Sequence, residues 1–151
     1  MVSQCYVARQ IWHECANRRA LLLESLRDSN QIIQAHALIA LGRIKSDPQI
    51  CVPAVIPFLT NQSVSLRQKA YSAILAFADH AESATEAIAV GLHDSDPWTK
   101  RQALIAVARI LSPADQRRVL PQVEALLNDP EPFIRDAAKE WLPKIRASAA
   151  K

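Results

Sequence analysis

The chain has 151 residues, half of them apolar and 22% charged, with a formal charge of +3 and a mean hydropathy near zero. Those values fit one soluble globular domain with a sizeable core and exclude disordered and fibrous chains. There are only two glycines, Gly42 and Gly91. That argues against sheets with tight turns, and against the glycine loops that cradle nucleotides. Alanine, the best helix former, is the commonest residue, so an all-helical fold is expected.

Residues 1–16 come first and predict a leading cap helix. Gln4, Arg9, Gln10, His13 and Glu14 interrupt this stretch, so it does not read as a signal peptide. Cys5, Cys15 and Cys51 lack CxxC spacing. They point to reduced thiols and a cytoplasmic setting. The apolar run 50–59 contains Pro53 and Pro57 and is too short to span a bilayer.

From residue 17 onward the sequence repeats. Segments opening on Leu26, Leu59, Leu92 and Leu127 superpose, at intervals of 33, 33 and 35 residues. They define repeats over 17–46, 47–81, 82–111 and 112–146, followed by a polar tail over 147–151. Each repeat predicts two helices. The first, A, spans 17–27, 48–59, 84–92 and 113–127 in turn. The second, B, carries an apolar stripe at helical spacing: Ile33, Ala37, Ala40, Leu41 and Ile44 in the first copy, and Ile134, Ala138, Trp141, Leu142 and Ile145 in the fourth. Asp96-Pro97 and Pro132 mark B-helix starts. Ser112 with Asp115 resembles a capping box. Pro53 and Pro121 predict bends in A helices, and Pro143 a kink or end in the last B helix. Single helix pairs cannot bury their apolar faces, whereas stacked pairs can.

The motif Asp-x-x-x-x-(Val/Ile/Leu)-(Arg/Lys)-x-x-Ala-x-x-Ala-Leu, as in Asp129, Ile134, Arg135 and Ala138, resembles the HEAT-repeat family over about residues 17–145. The likeness is to its short bacterial type, related to phycobilin-lyase repeats. It implies an all-α, right-handed solenoid of about four helix pairs. It also implies a structural ladder joining each Asp to the Arg six residues later. The pairs would be Asn61/Arg67, Asp94/Lys100 and Asp129/Arg135, with Asp28 facing Gln34 in the first copy.

Several chemistries fail on spacing. His13-Glu14 is a lone His-Glu pair, short of the repeated pairs a diiron HEAT-like hydroxylase needs. No Cys/His set has zinc spacing, and no glycine elbow surrounds a serine. The expectation is no catalytic residue, no cofactor and no metal.

The resemblance places the B helices on the inner, concave surface. A rotation of 100° per residue turns Ile39, Gln68, Lys69, Ser72, Leu75, Arg101, Ile105, Asp136 and Glu140 outward there. An apolar strip of Ile39, Leu75 and Ile105 with a charged rim suits a non-enzymatic scaffold that docks a protein or peptide. One alternative is a helper in phycobilin attachment, with Lys69 and Arg101 meeting the bilin carboxylates. Another is nucleic-acid-backbone binding of the kind HEAT-like DNA glycosylases use. Residues 1–75 carry a net charge of +4 and residues 76–151 a net of −1. Asp136 and Glu140 interrupt the basic stripe that phosphates require. No membrane partner is expected.

Overall fold

The computed structural model describes residues 17–150, and every regular element among them is helical. The cap helix expected over 1–16, with Cys5, Cys15 and His13-Glu14, lies outside the described residues. Helix α1 covers 17–25. It is followed by α2 (Gln31–Ile44), α3 (Pro48–Val55), α4 (Val64–Ala76), α5 (Thr85–Gly91), α6 (Pro97–Ile110), α7 (Pro113–Ala125) and α8 (Pro132–Ala149).

Local chemistry explains the starts. Asn30 accepts the Ile32 N–H at 2.9 Å and caps α2. Asp96 accepts the Thr99 N–H at 2.8 Å ahead of Pro97. Ser112 Oγ accepts the Asp115 N–H and donates to the Asp115 carboxylate at 2.6 Å. Each device satisfies an N–H that the first helical turn leaves free.

Pro53, Pro121 and Pro143 all lie inside helices. Beyond Pro53, α3 gives way at Val55 to a tighter 3-10 turn over Ile56–Thr60. Helix α7 continues through Pro121 to Ala125 before a similar turn. Pro143 does not end α8, and the expected polar tail is helical as far as Ala149. Ala149 is buried, and its carbonyl accepts Arg117 Nη1 at 2.5 Å. That docking holds the last turn.

The B helices α2, α4, α6 and α8 pack in series, and α3, α5 and α7 lie against the B helices that follow them. The expected apolar stripe faces the preceding repeat: Leu66, Ala70, Ala73 and Ile74 are buried on α4. A second stripe faces the next repeat. It consists of Leu38, Tyr71 and Leu104, each with no exposed surface. Full burial of one such side chain contributes about 1.5–3 kcal/mol.

Both glycines sit at contacts on this seam. Gly42 is buried; a Cβ there would stand 2.9 Å from Ala73 Cα. At Gly91 a Cβ would overlap the Tyr71 hydroxyl and come within 2.9 Å of Ala103 Cβ. Tyr71 donates to the Ala87 carbonyl at 3.2 Å. Burial, aided by Asp94 and opposed by Arg67, pushes its phenol well above the usual range.

The ladder runs between repeats. Within each repeat the Asp or Asn accepts the N–H two residues on: Asp28 from Asn30, Asn61 from Ser63, Asp94 from Asp96 and Asp129 from Glu131. The residue six positions later donates to turn carbonyls. Gln34 reaches those of Leu26 and Asp28, Arg67 those of Asn61 and Gln62, and Arg135 those of Asp129 and Pro130. The charge pairs cross to the next repeat. Arg67 grips Asp94 with two bonds of 2.7 and 2.8 Å. Lys100 Nζ meets Asp129 at 2.6 Å. The expected Asp94/Lys100 pair is therefore replaced by Arg67/Asp94 and Lys100/Asp129. The reason is reach: the short carboxylate closes its own turn, while the long cation spans the gap to the neighbouring turn.

Burial pushes the Asp129 carboxyl up, but the bonds from Lys100 and the Glu131 N–H, with the Lys100 and Arg135 charges, outweigh it. The carboxyl is held below its usual range. A lowered folded pKa stabilises the fold above the unfolded value of about 4 and loses that contribution as pH falls through the folded value.

Three outcomes are expected. Gly91→Ala should destabilise by about 1–3 kcal/mol despite a helix-propensity gain of ~1 kcal/mol; Tyr71→Phe in the same chain should restore part of the loss, read by urea denaturation. Arg67→Ala should cost about 3–5 kcal/mol, because it leaves Asp94 unpaired. Asp129→Asn should flatten the fall in stability between about pH 5 and pH 2, read by circular dichroism.

Candidate nucleic-acid interface

The face of the B helices opposite the A helices collects one residue per turn from each repeat. Its first row is Ile32, Ser65, Trp98 and Phe133, and a middle row is Ala35, Gln68, Arg101 and Asp136. Another is His36, Lys69, Gln102 and Ala137, followed by Ile39, Ser72, Ile105 and Glu140. The last is Arg43, Ala76, Arg109 and Lys144.

The structure brings the expected residues to this face with unequal exposure. Ser72, Asp136 and Glu140 are exposed, while Ile39, Leu75 and Ile105 are half-buried. The apolar strip is thus partly filled by its neighbours. Gln68 donates its amide to Asp96 at 3.0 Å and ties α4 to the start of α6. That bond, with those from Thr99, holds the Asp96 carboxyl below its usual range against the opposing effect of burial. Ser72 turns back to the Gln68 carbonyl at 3.1 Å.

Arg43, Arg109 and Lys144 join this face beyond the outward positions expected from the sequence. Their signal was available: each lies one helical turn beyond Ile39, Ile105 and Glu140. All three are exposed. Among the described residues, Arg43, Lys69, Arg101 and Arg109 form no ion pair. The acids on α8 are matched locally: Asp136 with Lys139 at 3.1 Å and Glu140 with Lys144 at 3.3 Å. Exposed pairs of this kind add little stability, but they cancel charge. The face therefore carries unmatched positive charge on α2, α4 and α6 and near-neutral pairs on α8.

Aromatic groups border it. Trp98 is 58% exposed and packs on Phe133 with ring centroids 5.3 Å apart. Lys144 Nζ lies 4.1 Å from the Trp141 ring centroid. Trp141, expected in the core, is only half-buried.

Elsewhere, Cys51 is fully buried and donates to the Ser46 carbonyl at 3.0 Å. Burial pushes its thiol up, which suppresses nucleophilic thiolate. Among the described residues no group of three His, Cys, Asp or Glu is placed to hold a metal ion, and no helix is long and apolar enough to cross a membrane.

A family model described as DNA alkylation repair enzyme matches residues 56–148. No curated protein matches the chain. Two crystal structures of engineered proteins from the Northeast Structural Genomics Consortium share its fold. One has a TM-score of 0.64 and 18% identity, covering 86% of this chain and 63% of its own. The other has a TM-score of 0.63 and 18% identity, covering 86% of this chain and 38% of its own. The chain thus spans less than two thirds of either structure.

These findings correct three expectations. The family match is not to the HEAT-repeat family, although the fold is all-helical and solenoid-like. The Asp, Arg and Ala motif closes turns and lets helices approach, so it reports architecture and cannot separate families that share it. The reading as a non-enzymatic protein-docking scaffold, with its bilin alternative, gives way to a family described as an enzyme of DNA repair. A protein or peptide partner has no support.

Proposed function

The chain belongs to the DNA alkylation repair enzyme family, and from that premise we propose that it takes alkylated duplex DNA as its substrate. The duplex lies across the B-helix face and is held by its phosphates. The observation that carries this reading is the coincidence of the matched segment, 56–148, with α4, α6 and α8. Lys69, Arg101 and Arg109 project from that segment without an acidic partner among the described residues. Arg43 on α2 extends the same charge.

Unmatched cations release counterions when they meet phosphates, which makes affinity depend on salt. Asp136 and Glu140, paired with Lys139 and Lys144, place two carboxylates at one end of this face, and those carboxylates can exchange their lysine partners for a cation on the DNA. Loss of an alkylated base leaves a cationic sugar, and a carboxylate held beside it stabilises that charge. An intracellular location goes with this substrate.

Four engaged cations predict a slope of log affinity against log salt of about −3 to −4 on duplex DNA. Fluorescence anisotropy with a labelled duplex measures it. Lys69→Glu with Arg101→Glu should weaken binding uniformly across sequences and reduce the slope by about 2, while Arg27→Glu, on the A-helix side, should leave it unchanged. An absence of binding at low salt overturns the reading. Asp136→Asn with Glu140→Gln should slow release of alkylated bases by about 10²-fold or more without weakening DNA binding. Release unchanged in that variant places the chemistry elsewhere.

A further inference from the structure

The grooves between successive B helices differ in how they are closed. Between α4 and α6 the Gln68 amide reaches across to Asp96 at 3.0 Å. Between α6 and α8 the Trp98 ring packs on Phe133, with centroids 5.3 Å apart. Between α2 and α4 the repeat register puts Ala35 with Ser63 and Ile32 with Ser65 at the equivalent positions. Those side chains are too short to bridge the gap, and a groove of about 410 Å³ stays open. Ile32, Ala35, Ile39 and Leu66 give it an apolar lining. Gln31, His36, Ser65 and Lys69 add an amide, an imidazole, a hydroxyl and an ammonium, drawn from both helices. Ile32 is 66% exposed, and Lys69 forms no ion pair among the described residues.

We propose that this groove holds one unpaired nucleotide of bound DNA, with its base against the apolar lining and its phosphate on Lys69. The inference rests on the DNA reading of this face given above. Chemistry selects the occupant. A nucleobase is flat, has apolar faces and carries hydrogen-bonding groups only on its edges, which suits apolar walls with mixed donors and acceptors beside them. Its phosphate matches the unpaired ammonium, and Arg43 and Arg101 lie on neighbouring rows to hold flanking phosphates. An alkyl chain would use the lining and leave the four polar groups without partners. The groove beside α1 and α3 makes the contrast. It measures about 350 Å³ and is lined by Leu23, Leu26, Arg27, Ile50, Ala54 and Phe58, so Arg27 brings its one polar side chain. Taking a base out of the stack costs least where the base already lacks a partner, and burial of its faces in the α2–α4 groove offsets that cost.

The test compares three duplexes by fluorescence anisotropy with the full chain: one fully paired, one with a single-nucleotide bulge, and one whose bulge is an abasic site. The abasic bulge interrupts the duplex in the same place but offers no base. The ordinary bulge should bind about 10-fold more tightly than either of the others. Ala35→Gln with Ser63→Asn imports a neutral form of the Gln68–Asp96 bridge, Asn being as favourable as Ser at the α4 N-cap. That variant should lose the preference for the bulge and keep the salt slope on paired duplex. Ala35→Trp, which fills the lining directly, should lose the preference as well. Equal affinity for the bulge and the abasic bulge overturns the inference, as does a preference kept in both variants. Either result leaves the DNA reading standing. Failure to bind any of the three duplexes at low salt overturns that reading and the inference with it.

Discussion

The stack depends on how its turns are closed. Each connection from an A helix to a B helix leaves carbonyl groups pointing at no helical partner, and the chain has no glycine at any of these turns to relax them. The solution is a division of labour between a short acceptor and a long donor. The Asp or Asn folds the turn by accepting an N–H two residues on. The Arg or Gln six residues along takes up the carbonyls. Arg67 has donors to spare and uses them on the next repeat's Asp94. One side chain thus closes a turn and sets the spacing between repeats. With the B helices spaced, small residues at the seam decide how near they come, as at Gly42, where a Cβ would stand 2.9 Å from Ala73 Cα.

Spacing has a consequence for charge. Helices held in one row present equivalent positions as rows across the outer face. A single cation on one helix means little, but Arg43, Arg109 and Lys144 fall on one row and Lys69 and Arg101 on two adjacent ones. A low net charge of +3 conceals this, because the acids on that face are confined to α8 and neutralised by Lys139 and Lys144. Phosphate recognition depends on the local arrangement of charge and much less on the whole-chain sum.

The repeat register and the all-helical fold were legible in the residues because helix periodicity and turn chemistry are local. Pro97 after Asp96 announces a helix start wherever it occurs. The second apolar stripe, Leu38, Tyr71 and Leu104, is not legible as core from one helix. Its burial comes from a neighbouring repeat, which no window of one helix contains. The same limit explains the ladder: Arg67 and Asp94 are 27 residues apart, so their pairing rests on how repeats stack. Family membership is not legible in the motif for a further reason. The motif that suggested it serves the backbone, and backbone requirements are shared by every fold built from such pairs.

What the sequence determined by itself was the helix, its start signals and the period of the repeat, since these follow from propensity, capping and 3.6-residue spacing within a few turns. The tertiary structure alone decided which cation meets which carboxylate, why two glycines are needed, and which positive charges remain unmatched on the outer face. Those outcomes depend on contacts between chain segments about thirty residues apart, where reach and steric fit govern.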